Sequence, residues 1–424
     1  MRAGRQALRR SAYVEARQLF SAAARLTATL PDGDARVEAE LHALSGLGFA
    51  LSYALGFGSS EFGRVTIRAA DLCERLPNPL DFLRVLWDCW NFHLNRSDFT
   101  SALNESARLI RWGEERGDVQ GRISGRISAG ITKAHLGEFV AARSDLELAI
   151  TMLEASKDDP TVVWDPVRSF RHEGRLGAAR SHLARPVCFL GYPDRALAHL
   201  SAAIEGIGVI GEVANICIQR LRVFGILWEQ SELDGRVAEA LRLCREYAMP
   251  HQTAIARIYE GYAIARRGDL RAGGAGLRGG LADYVATGAV INSVYYRALL
   301  VETCARQGDT DEALAIVTEA LSHVERTGER WGEAELTRQF GEVHRLKGDR
   351  DAAESHFAQS IEIARGQSAK LFELRAAVSL VRLWSEQGRR AKARELLVPI
   401  YEWFTEGFNL RDLKEAKALL DELT

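Results

Sequence analysis

The sequence predicts an all-α chain, a superhelical solenoid of about ten antiparallel helix pairs with a period near 40 residues. Three observations lead there. Ala, Leu, Glu and Arg dominate the 424 residues and only nine prolines occur, a composition that favours helix. Apolar residues recur at the three-and-four spacing of a helical face. Short turns then return at a fixed interval, the sign of stacked repeats.

Residues 312–324 show how the helices are built. Ala313, Leu314, Ile316, Val317, Ala320, Leu321 and Val324 share one face, while Glu319 and Glu325 fall off it. No long alternating segment suggests a strand. The turns are clearest late in the chain: Gly268-Asp269, Gly308-Asp309, Gly348-Asp349 and Gly388-Arg389 follow one another in steps of 40 residues. Ser11, Ser97, Gly137 and Gly191 continue the series backwards, and near Gly58 and Ser231 it is weak.

Aligning on the turns exposes a small–large–small order. Five residues after the turn stands a small residue, as at Ala16, Ala102, Ala142, Ala196, Gly273, Ala313, Ala353 and Ala393. Nine after it comes a larger apolar one, as at Phe20, Leu146, Leu277, Val317 and Phe357, and twelve after it another small one. Seven before it Gly4, Gly130, Gly261 and Gly341 recur. Small residues let two helices approach while the large residue fills the space between them. Gly at the turn supplies the left-handed conformation that ends a helix.

The expected organisation is a first set of repeats over residues 1–155, an insertion over 156–175 and a second, continuous set over 176–424. The insertion is placed by Asp158-Asp159-Pro160 and Trp164-Asp165-Pro166, which break helical continuity. The first repeat reads as truncated, because its first helix would begin about four residues before Met1 on the common register. Pro186 falls within an expected helix.

The small–large–small order around a Gly-Asp turn resembles the tetratricopeptide repeat (TPR), and the resemblance covers nearly the whole chain. It implies a right-handed superhelix whose concave groove is lined by the first helix of each repeat. More specific stretches are Leu190 to Leu197, Val324 to Arg330, Ala376 to Leu383, Tyr401 to Phe408 and Asp412 to Lys417. Together they resemble the C-terminal region of bacterial signalling proteins that join a class III adenylate/guanylate cyclase domain, an AAA-like (STAND-type) ATPase and TPR repeats. That resemblance implies a non-catalytic regulatory or sensor module that binds a protein or peptide partner, or docks on a cyclase/ATPase region in cis or trans. A stand-alone TPR scaffold and a small-molecule-sensing solenoid are the alternatives. The string G-x-x-x-x-G-K-[ST], needed to cradle nucleotide phosphates, does not occur.

The balance of 55 basic and 57 acidic side chains gives no support to nucleic-acid binding, which favours a basic excess. No run approaches the ~18 apolar residues of a membrane span, so no membrane partner and a cytoplasmic setting are expected. Six cysteines lie far apart and none forms a C-x-x-C pair or zinc pattern. They read as small buried apolar residues. No catalytic residue, metal ligand or cofactor is expected.

Four features carry candidate sites. Gly274 to Gly279 spells G-x-G-x-x-G inside a second helix, where it reads as a close helix contact rather than a dinucleotide loop. His344 and His356 show no carboxylate partner motif. Trp87 and Trp90, with Phe92 and His93, form an aromatic cluster on one helix, either core or binding hot spot. By the resemblance, groove positions fall about ten, six and three residues before each turn. These positions supply Tyr262, Glu302, Arg338, Glu342, Arg345 and Arg382. The expectation is a basic strip of Arg338, Arg345 and Arg382, tempered by Glu302 and Glu342, facing a carboxylate or acidic peptide segment. The competing reading is a solvated face with intrahelical ion pairs such as Arg338 with Glu342.

Overall fold

The computed structural model describes residues 1–76, 79, 81–159, 162, 172–205, 210–227 and 230–423, and among them all regular structure is helical. The first ten helices are α1 (Arg2–Arg9), α2 (Tyr13–Thr27), α3 (Asp34–Ala54), α4 (Ser60–Glu74), α5 (Phe82–Asn95), α6 (Phe99–Arg116), α7 (Val119–His135), α8 (Phe139–Ser156), α9 (His172–Phe189) and α10 (Pro193–Ala202). They continue as α11 (Ile210–Leu227), α12 (Gln230–Glu246), α13 (Pro250–Arg266), α14 (Leu270–Ala286), α15 (Ser293–Gln307), α16 (Thr310–Thr327), α17 (Glu333–Leu346), α18 (Arg350–Gly366), α19 (Lys370–Glu386), α20 (Arg390–Glu402) and α21 (Arg411–Glu422). Among the described residues, ten pairs are followed by one closing helix. Odd-numbered helices pack on their even partners and on one another in succession, so they form the inner layer.

The turns follow the register read from the sequence. Ser11, Ser97, Gly137, Gly191, Gly268, Gly308, Gly348 and Gly388 all have positive φ, with 93° at Gly308. In the weak second repeat Gly56, not Gly58, takes this conformation, and the turn before α12 lies outside the described residues. The glycines seven positions earlier receive the large residue of the following helix. A Cβ on Gly341 would sit 2.6 Å from the Phe357 ring, and one on Gly130 would sit 2.7 Å from Leu146. The G-x-G-x-x-G string lies within α14, and a Cβ on Gly276 would come 3.0 Å from the Gly261 backbone. It serves helix packing.

Most of the expected insertion, Trp164-Asp165-Pro166 included, lies outside the described residues. α9 begins at His172, inside the interval expected to be loop, and runs without a break through Pro186. Pro186 sits in the last turn, and its own carbonyl accepts from the Leu190 N–H at 2.9 Å. The ring therefore removes one late bond rather than a mid-helix ladder.

The superhelix closes on itself. The Val290 N–H donates to the Asn95 carbonyl at 2.8 Å, and the Arg330 N–H donates to the His135 carbonyl at 3.0 Å. The Gly407 N–H donates to Asp194 at 3.1 Å. Such contacts join positions 192 to 213 residues apart, about five 40-residue periods. Helix contacts α3 with α13 and α9 with α19 repeat that offset. The chain is thus a coil of two stacked turns.

One seam between the turns is polar and buried. Glu329, fully buried, accepts from the Asn292 N–H at 2.6 Å and from Trp331 Nε1 at 2.9 Å. Arg185 donates to Asn292 at 3.0 Å, lies 2.9 Å from His135 Nε2 and covers the Trp331 ring. Burial pushes the Glu329 carboxyl up to about 7 against the opposing pull of these donors and of Arg185. All six cysteines are buried free thiols. No described helix is long and apolar enough to cross a membrane.

Candidate functional site

The inner helices α13, α15, α17 and α19, with α21, enclose a groove of about 390 Å³. Six of the eight residues picked from the sequence belong to this half of the molecule. Glu302, Arg338, Glu342, Arg345 and Arg382 line the groove. Tyr262 is buried beside it and donates to Glu302 at 3.3 Å. Burial and then Glu302 hold the Tyr262 hydroxyl well above its ordinary pKa, so it stays a donor.

Arg338 departs from the expected strip. It is buried rather than groove-exposed. Its guanidinium meets Glu335 at 2.6 Å and Glu342 at 3.5 Å, and donates to Ser379 at 3.2 Å. Burial opposes its charge, but Glu335 outweighs burial and holds its pKa above the usual guanidinium range. Glu335 is correspondingly held below the carboxylate range against its own burial. Arg338 is therefore part of the groove floor, and an acidic replacement there would bury a second carboxylate beside Glu335. The intrahelical pair with Glu342 is real but accompanies this deeper one.

The rim is different. The Arg382 side chain is half exposed and reaches Glu415 at 3.5 Å. Arg345 bridges Glu342 at 2.9 Å and Glu386 at 3.9 Å. Arg306 stands 3.9 Å from Glu302, and Arg411 2.6 Å from Glu415. These are long, loose or solvent-screened pairs of the kind that contribute little to stability. Seven arginines and four carboxylates line the groove.

Sequence reasoning missed Arg266, Arg306, Arg375, Ser379, Arg411, Asp412 and Glu415, which share the lining. Ser379 sits one position off the assumed register. Arg411, Asp412 and Glu415 belong to α21, which has no turn to align. Asp412 and Glu415 lie in a tail stretch already singled out as specific, which was the available signal.

Trp87 and Trp90 lie elsewhere, on α5 in the first superhelical turn. Trp90 is buried and its Nε1 donates to Thr132 at 3.0 Å. Trp87 is half-buried under the Arg175 guanidinium, 3.5 Å from the ring centre. Both border a second interior space. The His344 and His356 rings stack with centroids 5.2 Å apart. His344 does have a carboxylate neighbour, Asp349 at 3.5 Å, placed by the turn between α17 and α18. No cluster of three or more His, Cys, Asp or Glu among the described residues could hold a metal ion.

These paired helices, inner groove and left-handed turns define a TPR-like solenoid. The tetratricopeptide repeat family matches residues 291–366. Over 407 residues the chain is 24% identical to an uncharacterized protein of Rhizobium meliloti (strain 1021), covering 91% of this chain and 37% of that protein. The chain thus spans little more than a third of that relative's length. Among solved structures it resembles the Cut9–Hcn1 hetero-tetramer of the APC/C, with a TM-score of 0.53 at 13% identity over 92% of this chain and 62% of that one. It also resembles the Rap conjugation gene regulator of plasmid pLS20 in complex with its Phr peptide, with a TM-score of 0.53 at 10% identity over 90% of this chain and 95% of that one.

Proposed function

We propose that this chain is a partner-binding module whose C-terminal groove takes an acidic segment of a protein or peptide. Seven arginines line the groove with four carboxylates, Glu335 and Glu386 pairing two of them from outside the lining, and the exposed rim arginines carry the reading. The floor charges are matched by buried partners, so Arg306, Arg345 and Arg382, held on the rim by solvent-screened pairs, are the ones a partner would meet. Guanidinium forks suit carboxylates in an extended segment. A peptide seated in a similarly folded Rap regulator supports the same use of the fold.

The same reading extends to setting. The tail stretches at 401–408 and 412–417 support a signalling context in which a nucleotide cyclase/ATPase region is the partner, in cis or trans. The much greater length of the Rhizobium meliloti relative agrees with a module that works beside other domains. Partner binding would then shift an equilibrium between signalling states in proportion to its preference for one of them.

The test uses fluorescence anisotropy with a labelled glutamate-rich decapeptide and its lysine-rich counterpart. The acidic peptide is expected to bind with an affinity that falls as salt rises. The double variant Arg345→Glu/Arg382→Glu is expected to weaken it at least tenfold at unchanged melting temperature. Equal binding of both peptides, or unchanged affinity in the double variant, sinks the groove assignment.

A further inference from the structure

The first superhelical turn encloses an interior space of its own, bounded by α3, α5, α7, α9, α11 and α13 and apart from the arginine groove. Its volume is about 170 Å³. A cavity of about 150 Å³ takes a benzene ring, so the space suits an apolar body of about that size.

The two ends of this cavity differ in charge. At one end Arg84, Asp88, Arg175 and Glu212 bring together two cations and two carboxylates. Arg175 stacks on Trp87 and Arg84 on Phe49, 4.5 Å from the ring centre. That end is balanced within itself.

At the other end stands Arg222, buried in α11. Its Nε and Nη2 donate, at 3.3 and 3.2 Å, to the hydroxyl of Tyr296, a neutral acceptor. Among the described residues no carboxylate forms an ion pair with it. Glu329 acts on it only from beyond ion-pair distance, and a buried guanidinium with no carboxylate in contact is costly. The imidazoles nearby offer no negative charge. Burial and the cations Arg185 and Arg222 bring His182 down to about 3. Burial and Arg222 do the same to His251.

A second polar group points the same way. Gln252 is 1% exposed, and its amide donates to Asn215 at 3.0 Å. Its Oε1 is buried without a partner, a debt a bound donor would settle. Trp87, Trp90, Ile255 and Ile216 supply apolar wall between these polar groups.

We propose that this cavity binds a small organic carboxylate, its anion on Arg222, its hydroxyl or amino group on Gln252 and its apolar body against Trp87, Trp90 and Ile255. The site is independent of the groove reading. Its wall includes Ile291 and Asn292, which belong to the seam with the second turn, so an occupant bears on how the two turns stack.

The experiment is thermal melting and calorimetric titration of the whole chain. The probes are phenylacetate, 4-hydroxyphenylacetate and 2-hydroxy-4-methylpentanoate, with neutral phenylacetamide and inorganic phosphate as contrasts. At least one carboxylate is expected to raise Tm with concentration, as a ligand of the native state must, while phenylacetamide and phosphate do not. Arg222→Met abolishes the response. Ala178→Phe, which fills the space from a half-buried wall position, abolishes it at unchanged ligand-free Tm. The proposal is overturned if no carboxylate binds up to about 10 mM, where a Kd of about 1 mM saturates the site. It is also overturned if phenylacetamide or phosphate matches the carboxylates, or if Arg222→Met responds like the parent chain. Should Arg222→Met not fold, the filled variant decides, and a retained response in it overturns the proposal.

Discussion

The closing helix α21 packs Leu413, Ala416, Leu419 and Leu420 into the core of α19 and α20 and is pinned there by one buried ion pair, whose removal gives the sharpest test of the packing. Arg375 on α19 and Asp412 on α21 meet through two bonds, Nε to Oδ1 at 3.0 Å and Nη2 to Oδ2 at 2.8 Å. Their side chains are 2% and 3% exposed. Arg375 also donates to the Ile226 carbonyl of α11, so the pair ties α21 to both superhelical turns. Removing one partner of a buried pair costs about 3–5 kcal/mol, because the other charge stays buried. Arg375→Met and Asp412→Leu are each expected to fall in that range. The double variant removes both charges of the pair and leaves the Ile226 carbonyl short of a donor, at about 1–3 kcal/mol. A repeat array opens locally, so a global melting curve is the wrong readout. Amide hydrogen exchange in α21 reports the local equilibrium. At about 1.4 kcal/mol per tenfold, each single variant should speed exchange about a hundred- to several-thousand-fold, and the double variant should recover much of that. If the double variant exchanges as fast as the singles, or if either single stays within threefold of the parent, the pair does not hold α21 and the reasoning fails.

Gly341→Ala should destabilise by about 1–3 kcal/mol in chemical denaturation, because the new Cβ meets Phe357 at 2.6 Å and the Ala353 carbonyl at 3.2 Å. Arg338→Glu should lower Tm where Arg382→Glu does not, since only the first buries a carboxylate beside Glu335. Two pH effects run in opposite directions. Glu329 rises from 4.5 to about 7 on folding, so its contribution is full below pH 4.5 and lost as pH climbs through 7. Glu329→Gln removes that loss, its Oε1 keeping the Asn292 and Trp331 donors, and should gain on the parent by about 3 kcal/mol between these limits. A flat difference against pH refutes it. His182 and His251 fall from 6.5 to about 3, so their contribution is present above 6.5 and drains away as pH drops toward 3.

The repeats were legible because their cause is local. A glycine seven before the turn and a large residue nine after it belong to the same helix pair, and Gly341 with Phe357 shows the fit directly. The groove was legible in part for the same reason: Glu302, Glu342 and Arg382 each stand six residues before the turn in successive inner helices. Arg338, ten residues before its turn, was picked by the same register, yet Glu335 and Ser379 draw it into the floor. Ser379 is 41 residues away, beyond any pattern within one helix. Arg222 could not be singled out at all. Its lack of a carboxylate in contact depends on which side chains from α11, α13 and α15 surround it, and charge balance of that kind appears only after folding.

The two-turn coil carries an implication for how the protein is made. Each helix pair nucleates on its neighbour, so most of the chain folds from local contacts. The seam is different, because Asn95, His135 and Asp194 wait for partners about 200 residues further on. During synthesis, proceeding at about 5–20 residues per second, those docking points stand unoccupied for roughly 10 to 40 seconds. The early turn is then a finished template on which the later turn is laid down as it emerges from the ribosome. Lesions in α5, α7 or α9 should accordingly surface as misassembly of helices α15 to α21, far downstream in the chain from the residue altered.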